Sequence, residues 1–415
     1  MYTAGTKRTA RVAWLTRGVV AIGLASLCSD LGHEMTTALL PVFLVSVLGA
    51  PAVALGVIEG IADGASAVLK FTGGYAADAA AGTARGRRVL GAGGYLVTAL
   101  CTGLIGLATT WPVVLVLRSL AWAGRGFRSP IRNALLADQV PPAAYGRAFG
   151  FERALDSVGA VVGPLVASGL LVALGLRATL LLAGLPGLVA VALFLYCVRE
   201  ERHVAHTAKP RGMRAALGTL PRPFRRFLLS VGTFGLGNFA ATFFILRATE
   251  LLIGPYGAVR GAALAVGLYT LYNVVYAASA YGAGEVADRL PKLLVLGAGY
   301  ALFLVTCLGF AVAGANLGAL AALFALAGAQ IGVVETAESA YAAERVPVEL
   351  RGTGFGTLAA VNGVGDLVSS VVVGVLWTAI APQAGFAFGA VFAAVALLTL
   401  LVGSIGPARA SAQSS

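Results

Sequence analysis

Gly74-Tyr75-Ala76-Ala77-Asp78 returns 210 residues later as Gly284-Glu285-Val286-Ala287-Asp288. Two further matches keep nearly the same spacing. Ala137-Asp138-Gln139-Val140-Pro141 pairs with Ala343-Glu344-Arg345-Val346-Pro347 at 206, and Arg147-Ala148-Phe149-Gly150-Phe151 with Arg351-Gly352-Thr353-Gly354-Phe355 at 204. Three collinear matches at a near-constant offset mark an internal duplication of half the chain. Each match sits at the edge of a long apolar stretch, so the repeated unit is defined by what lies around it.

Around these motifs the sequence is a series of stretches long enough, at about 20 residues, to cross a hydrocarbon core as helices. There are twelve: 19–48, 55–77, 89–108, 111–127, 150–174, 178–198, 227–253, 263–282, 293–313, 317–336, 354–380 and 384–403. Six per copy makes the two copies parallel in the membrane. The fold expected is therefore all-α, with twelve transmembrane helices in two pseudo-symmetric six-helix bundles. The domains are residues 1–198, a basic linker at 199–226, a second half at 227–403 and a tail at 404–415.

Composition agrees. Of 415 residues, 58% are hydrophobic and 12% charged, and mean hydropathy is +0.87. A soluble domain carries about 25% charged residues, so this chain lacks the polar surface to face water all round. The net charge of +12 does not point to nucleic acid, because its placement is one-sided. About 25 of the 30 Lys and Arg residues fall at the termini and in the even-numbered connections, while 49–54, 109–112 and 381–385 carry none. The basic side is cytoplasmic by the positive-inside rule. With an even number of spans, both termini are expected in the cytoplasm, and the membrane expected is a cell inner membrane. Cys28, Cys101, Cys197 and Cys307 stand singly in apolar stretches, with neither disulfide nor metal-site spacing.

Together these features resemble the major facilitator superfamily over essentially the whole chain. The loop after span two resembles its signature: Gly74 and Asp78, then Arg85-Gly86-Arg87-Arg88, with Ala79–Ala84 inserted between acid and bases. The second copy, Gly284, Asp288, Arg289 and Lys292, lacks the insertion. Span five, with Gly150, Gly159, Gly163-Pro164 and Ala167-Ser168, is similar to the motif of antiporter branches. The resemblance implies export of a small solute by exchange, most often against protons.

Ionisable groups inside hydrocarbon are costly, which makes each a functional candidate. Span one holds Asp30, His33 and Glu34. Asp30 and Glu34 share a helix face, and two carboxylates that close resist ionising together, so one can carry a proton. Glu59, Asp63, Ser66 and Lys70 form a narrow stripe on span two, read as a proton path or outer gate. Arg118, deep in span four, needs a carboxylate from span one or two. Glu152, Asp156, Gly159 and Gly163 form one face of span five, read as the sliding face between the halves. In the second half, Tyr269, Tyr272, Asn273 and Tyr276 line one face of span eight, with Asn238, Asn362 and Asp366 on spans seven and eleven. Aromatic faces with amides suit an amphipathic or cationic solute. Pseudo-symmetry sets Arg128 and Arg132, at the end of span four, opposite Glu335 and Glu338 on span ten, a charge pattern suited to a cytoplasmic gate. For each set, packing or charge neutralisation without a transport role is the competing explanation.

The expected function is a secondary-active exporter, monomeric, driven by the proton gradient and without a bound cofactor. Uptake by symport uses the same acids. A metal exporter with Asp30, His33 and Glu34 as ligands is a third reading, although a single His is thin provision for a metal. An enzyme is disfavoured, since neither a nucleophile–base pair nor a His-Glu-x-x-His pair is present, and no Gly-x-x-x-x-Gly-Lys-[Ser/Thr] run suggests ATP use.

Overall fold

The computed structural model describes residues 14–81, 86–199 and 217–405. Within them the chain forms fourteen α-helices and no strands. They are α1 (Arg17–Val42), α2 (Ala52–Ala80), α3 (Gly86–Leu104), α4 (Trp111–Asp138), α5 (Tyr145–Leu174), α6 (Leu176–Leu182) and α7 (Gly184–Cys197). In the second half they are α8 (Arg222–Gly235), α9 (Thr242–Tyr256), α10 (Ala258–Arg289), α11 (Lys292–Val312), α12 (Leu317–Arg345), α13 (Arg351–Ala379) and α14 (Pro382–Ile405). Joining α6 to α7 and α8 to α9 gives the twelve spans. Helix is the form in which an apolar segment satisfies its own backbone polar groups in hydrocarbon.

Local chemistry sets the ends. Thr16 Oγ1 accepts from Val19 N at 3.2 Å and Asn316 Oδ1 from Ala319 N at 2.9 Å, capping α1 and α12. Gly175 and Gly257 join α5 to α6 and α9 to α10 as single-residue turns with φ of 78° and 76°, a region open to glycine at little cost. α1 carries Pro41 and passes into a π-helical segment at Phe43–Val47. The missing proline N–H breaks the i to i−4 ladder there.

Several elements differ from expectation. α4 runs to Asp138 rather than 127, α12 to Arg345 rather than 336, and α10 to Arg289 rather than 282. An apolar stretch measures only the hydrocarbon-facing part of a helix, and these helices continue beyond it. Span seven starts at Arg222, inside the expected linker, and is broken between Gly235 and Thr242. The break is satisfied by α13: Ser369 Oγ donates to Asn238 O at 2.8 Å and Ser370 Oγ accepts from Ala240 N at 3.1 Å. Phe239, in the break, packs against Phe243, Phe244, Phe303 and Phe386. Most of the expected linker, and Arg85 of the basic loop, lie outside the described residues.

Among the described residues seven helical segments are long and apolar enough to cross a membrane by length and composition. Of the other spans, α8 and α9 are short segments of 14 and 15 residues, α1 carries Asp30 and Glu34, and α4 carries four arginines. α1 packs on α5 and α7, and α2 on α4, in the first half; α10 packs on α12 and α11 on α12 and α14 in the second. The halves meet through α5 against α10 and α2 against α13.

Candidate functional site

The halves touch at the face bearing the α2–α3 and α4–α5 connections, here termed the basic face. Asp78, at the end of α2, accepts from Gly352 N at 2.7 Å and Thr353 N at 2.6 Å, in the first turn of α13. Its repeat, Asp288 at the end of α10, accepts from Gly146 N at 2.7 Å and Arg147 N at 3.2 Å in the first turn of α5, and from Arg147 Nε at 2.7 Å. A carboxylate on exposed N–H groups at a helix start is favourable both as a hydrogen bond and against the helix dipole. The sequence repeats therefore dock crosswise: the acid of each copy caps the helix that begins with the Arg-x-x-Gly-Phe motif of the other. Glycine is required at the crossings. A Cβ on Gly74 would stand 2.9 Å from Gly356 Cα, and one on Gly146 2.8 Å from Asp288 Oδ1.

Asp138 adds a link, bound by Arg87 of α3 at 2.7 Å and by Arg351 of α13 at 2.5 Å, with Arg351 also donating to Tyr145 Oη. Arg87 thus pairs with Asp138 in the geometry described. Arg289 stands apart on an exposed surface, paired at 3.6 Å with Glu285. The named cross-half contacts on α13 run from Gly352 to Gly363, about 18 Å of helix. Toward the other end Gly60 and Gly64 of α2, Gly169 of α5 and Gly267 of α10 face open space.

Just inside this closed face lies a cavity of about 210 Å³, lined by α2, α4 and α5 of the first half and α12 and α13 of the second. Arg125, Arg128 and Arg132 line it along α4, with Arg153 and Asp156 from α5, Glu335 and Glu338 from α12, and Lys70 from α2. Arg125 grips both oxygens of Asp30, at 2.5 and 3.0 Å. Arg132 pairs with Glu152 at 2.7 Å and Asp156 at 3.7 Å, and Ser26 bridges Glu152 and Arg132 at 2.7 and 2.9 Å. Arg153 crosses between the halves to Glu335 at 3.4 Å, and Glu335 accepts from Tyr276 Oη. Trp122 lines the cavity too; Arg125 lies over its ring and His33 packs edge-on against it at 4.7 Å.

The expected groups are placed as follows. Asp30 and His33 are buried in α1, with Glu34 4.0 Å from His33. Arg118, 1% exposed, pairs with Glu59 at 3.2 Å and donates to Thr37 at 3.0 Å. Asp63 is exposed on the same stripe. Asn362 and Asp366 line the cavity, donating to Glu338 at 2.7 Å and accepting from Asn238 at 3.1 Å respectively. Tyr269, Tyr272 and Tyr276 stack in sequence along α10, and Asn273 donates to Tyr269 O at 3.0 Å, but none of these four lines the cavity. No group of three His, Cys, Asp or Glu stands close enough to hold a metal ion among the described residues.

Three placements correct the sequence reading. Gly159 and Gly163 do not face the other half. A Cβ on Gly159 would lie 3.2 Å from Asp30 Cβ, and one on Gly163 2.9 Å from Glu34 Cβ, so these glycines, followed by Pro164 within α5, seat α5 on α1. Arg128 and Arg132 form no ion pair with Glu335 or Glu338 among the described residues. They share the cavity with them, and Arg153 makes the cross-half pair instead. Arg125, Arg128, Arg132 and Arg153 lie within α4 and α5; the count of basic residues sets all four on the cytoplasmic side, with Arg128 and Arg132 beyond the end of span four at 127. Their spacing was a usable signal: 125, 128 and 132 fall on one helical face, and Glu152 and Asp156 on one face of α5.

A family model described as Major Facilitator Superfamily matches residues 22–268 and 253–414. An uncharacterized MFS-type transporter of Methanocaldococcus jannaschii is 29% identical over 389 residues, 93% of this chain and 95% of that relative. Among solved structures, a bacterial homologue of the iron transporter ferroportin in an outward-facing state aligns with a TM-score of 0.74 at 14% identity, covering 94% of this chain and 100% of that one. The E. coli fucose:proton symporter aligns with 0.72 at 16%, covering 93% and 98%.

Proposed function

The chain belongs to the Major Facilitator Superfamily, and from that premise we propose that it is a proton-coupled exchanger that exports a small organic solute by alternating access. It is a multi-pass membrane transporter whose cavity lies between the halves. The observation that carries the reading is this cavity, charged on every side and stopped at the basic face by the crosswise Asp78 and Asp288 latch. A site sealed on one side by a few separable contacts is what alternating access requires. On the positive-inside rule the basic face and both termini are cytoplasmic, the sealed state faces outward, and the membrane is the bacterial inner membrane. With α8 starting at Arg222 and α14 running to Ile405, the proposed domain limits are 1–198, 199–221, 222–405 and 406–415, and the working unit is a monomer energised by the proton gradient.

Coupling falls to acids that can change protonation as the site turns over. Glu338 is 2% exposed and accepts from Asn362, and among the described residues no cation stands at ion-pair distance from it. A bound cation and a proton would therefore compete for this carboxylate. Asp30 is held by Arg125, so a proton reaches it only as that pair parts. Glu34, Glu59, Asp63 and Asp366 extend the acidic path, with Arg118 as the counter-ion of Glu59. Symport is the second reading, and the fold shared with a fucose:proton symporter keeps it open. Everted vesicles separate the two. Exchange predicts that a transported solute dissipates an inside-acid pH gradient, whereas proton symport predicts no uptake into such vesicles against that gradient.

A further inference from the structure

Nine ionisable side chains line the central cavity. Five of them are neutralised by ion pairs: Arg125 with Asp30, Arg132 with Glu152 and Asp156, and Arg153 with Glu335. The other four, Lys70, Arg128, Glu338 and Asp366, have no oppositely charged group at ion-pair distance among the described residues. Their distribution is one-sided. Lys70 on α2 and Arg128 on α4 are cations of the first half, and Glu338 on α12 and Asp366 on α13 are acids of the second.

Arg128 is 2% exposed, lies 3.9 Å from the centre of the Tyr95 ring and donates one hydrogen bond, to Ser29 Oγ at 2.7 Å, while its Nε has no partner. Glu338 is likewise buried, without a cation at ion-pair distance among the described residues. Unpaired charges in a low-dielectric interior are costly. Lys70 Nζ reaches toward α13, 3.8 Å from a Cβ on Gly363 one turn before Asp366, but short of an ion pair, so none of the four closes a salt bridge without narrowing the cavity they border. A monoanion would satisfy one wall and leave the acids unpaired; a monocation would do the reverse. A solute with both charges satisfies both walls at once.

We propose that the cavity is a dipolar binding site for a small zwitterion, its carboxylate or other oxyanion against Arg128 and Lys70 and its ammonium group against Glu338 and Asp366. This rests on the transporter reading and narrows its solute from an organic molecule in general to an amphoteric one. A volume of about 210 Å³ is below the range of drug-sized pockets and suits a compact metabolite. The guanidinium fork of Arg128 matches an oxyanion. In exchange, the ammonium group and a proton compete for the same two carboxylates.

The test is ligand-induced thermal stabilisation of the purified full chain in nanodiscs at neutral pH. The probes are ω-amino acids of two to six carbons, each matched to its alkanoate and its alkylammonium, as in 4-aminobutyrate, butyrate and butylammonium. At least one amino acid should stabilise the protein at concentrations tenfold or more below both of its matched ions. Arg128→Gln or Lys70→Gln should remove the advantage over the alkylammonium, and Glu338→Gln or Asp366→Asn the advantage over the alkanoate. Without ligand, Lys70→Gln and Asp366→Asn should melt no lower than wild type, because each removes an unpaired charge. A structural role would lower both melting temperatures. Alkanoates or alkylammoniums as effective as the amino acids, no response to any probe, or destabilised unliganded Lys70→Gln and Asp366→Asn would each overturn the proposal. Solute-evoked proton movement with a singly charged solute alone would remove the zwitterion site and leave the exchanger standing. Zwitterion binding without proton movement would do the opposite.

Discussion

Asp78→Ala should open the basic face. The side chain accepts two backbone N–H groups of the other half, at 2.7 and 2.6 Å. Hydrogen bonds to a charged group contribute about 1.5–3 kcal/mol each, so their loss weakens the sealed state by about 3 kcal/mol at the lower bound. At 1.4 kcal/mol per factor of ten this moves the ratio of sealed to open forms by about 150-fold. Spin labels at Ala143 and Glu349, exposed positions on the two halves at this face, report the separation by double electron–electron resonance. Wild type should give mainly the short distance and Asp78→Ala a large second, longer population. Asp288→Ala should do the same, since it removes the repeat-related contact. Arg289→Ala, which breaks only an exposed pair with Glu285, should leave the distribution alone. If both aspartate variants match wild type, the crosswise latch does not hold the face shut.

Three further outcomes follow from the same geometry. Gly163→Leu should lower stability by about 1–3 kcal/mol or more and abolish transport, because its side chain enters the space of Leu31 O and Glu34 Cβ, 2.7 and 2.9 Å from a Cβ there; full activity in a stably folded Gly163→Leu variant would contradict the α1–α5 seating. In vesicles, Glu338→Gln should lose transport driven by a pH gradient and should need tenfold or more solute for gradient-independent counterflow, since it removes one of the two carboxylates proposed to hold the ammonium group. Asp30→Asn should be damaged in both, since it removes the carboxylate that holds Arg125, and equal pH-driven rates in Glu338→Gln and wild type would move coupling elsewhere. Membrane-impermeant thiol labelling of Gly49→Cys and Asn316→Cys should occur from outside the cell, and of Glu349→Cys only after permeabilisation; the reverse pattern would invert the orientation.

The duplication, the twelve spans and the importance of Asp78 and Asp288 were legible because repeats and apolar runs are local in sequence. That the first and third repeats dock on each other across the halves was not, because offset matching relates positions by symmetry and says nothing of contact. The arginines of α4 show a second limit. Arg125, Arg128, Arg132 and Arg153 count with the basic side although Arg125 and Arg153 fall inside the expected spans, and ending span four at residue 127 leaves Arg128 and Arg132 beyond it; a helix that leaves hydrocarbon continues, and neighbours on α1 and α5 pair with its charges. Without these four, about 21 basic residues remain on that side, so the one-sided bias persists. The Tyr269, Tyr272 and Tyr276 stripe has the helical spacing read from sequence, but its rings pack along α10 and do not line the cavity, which the stripe meets only through the hydrogen bond of Tyr276 to Glu335. Side-chain type identified the polar centre; only packing tells which of its charges are paired.

The most direct test of exchange is simultaneous recording of proton and solute flux in proteoliposomes of one orientation, preloaded with a candidate solute such as 4-aminobutyrate from the series above. Imposing a pH gradient should drive the solute against its concentration gradient, with protons moving the opposite way, and both fluxes should vanish in Glu338→Gln. Protons and solute moving in the same direction, or solute movement indifferent to the pH gradient, would contradict the account.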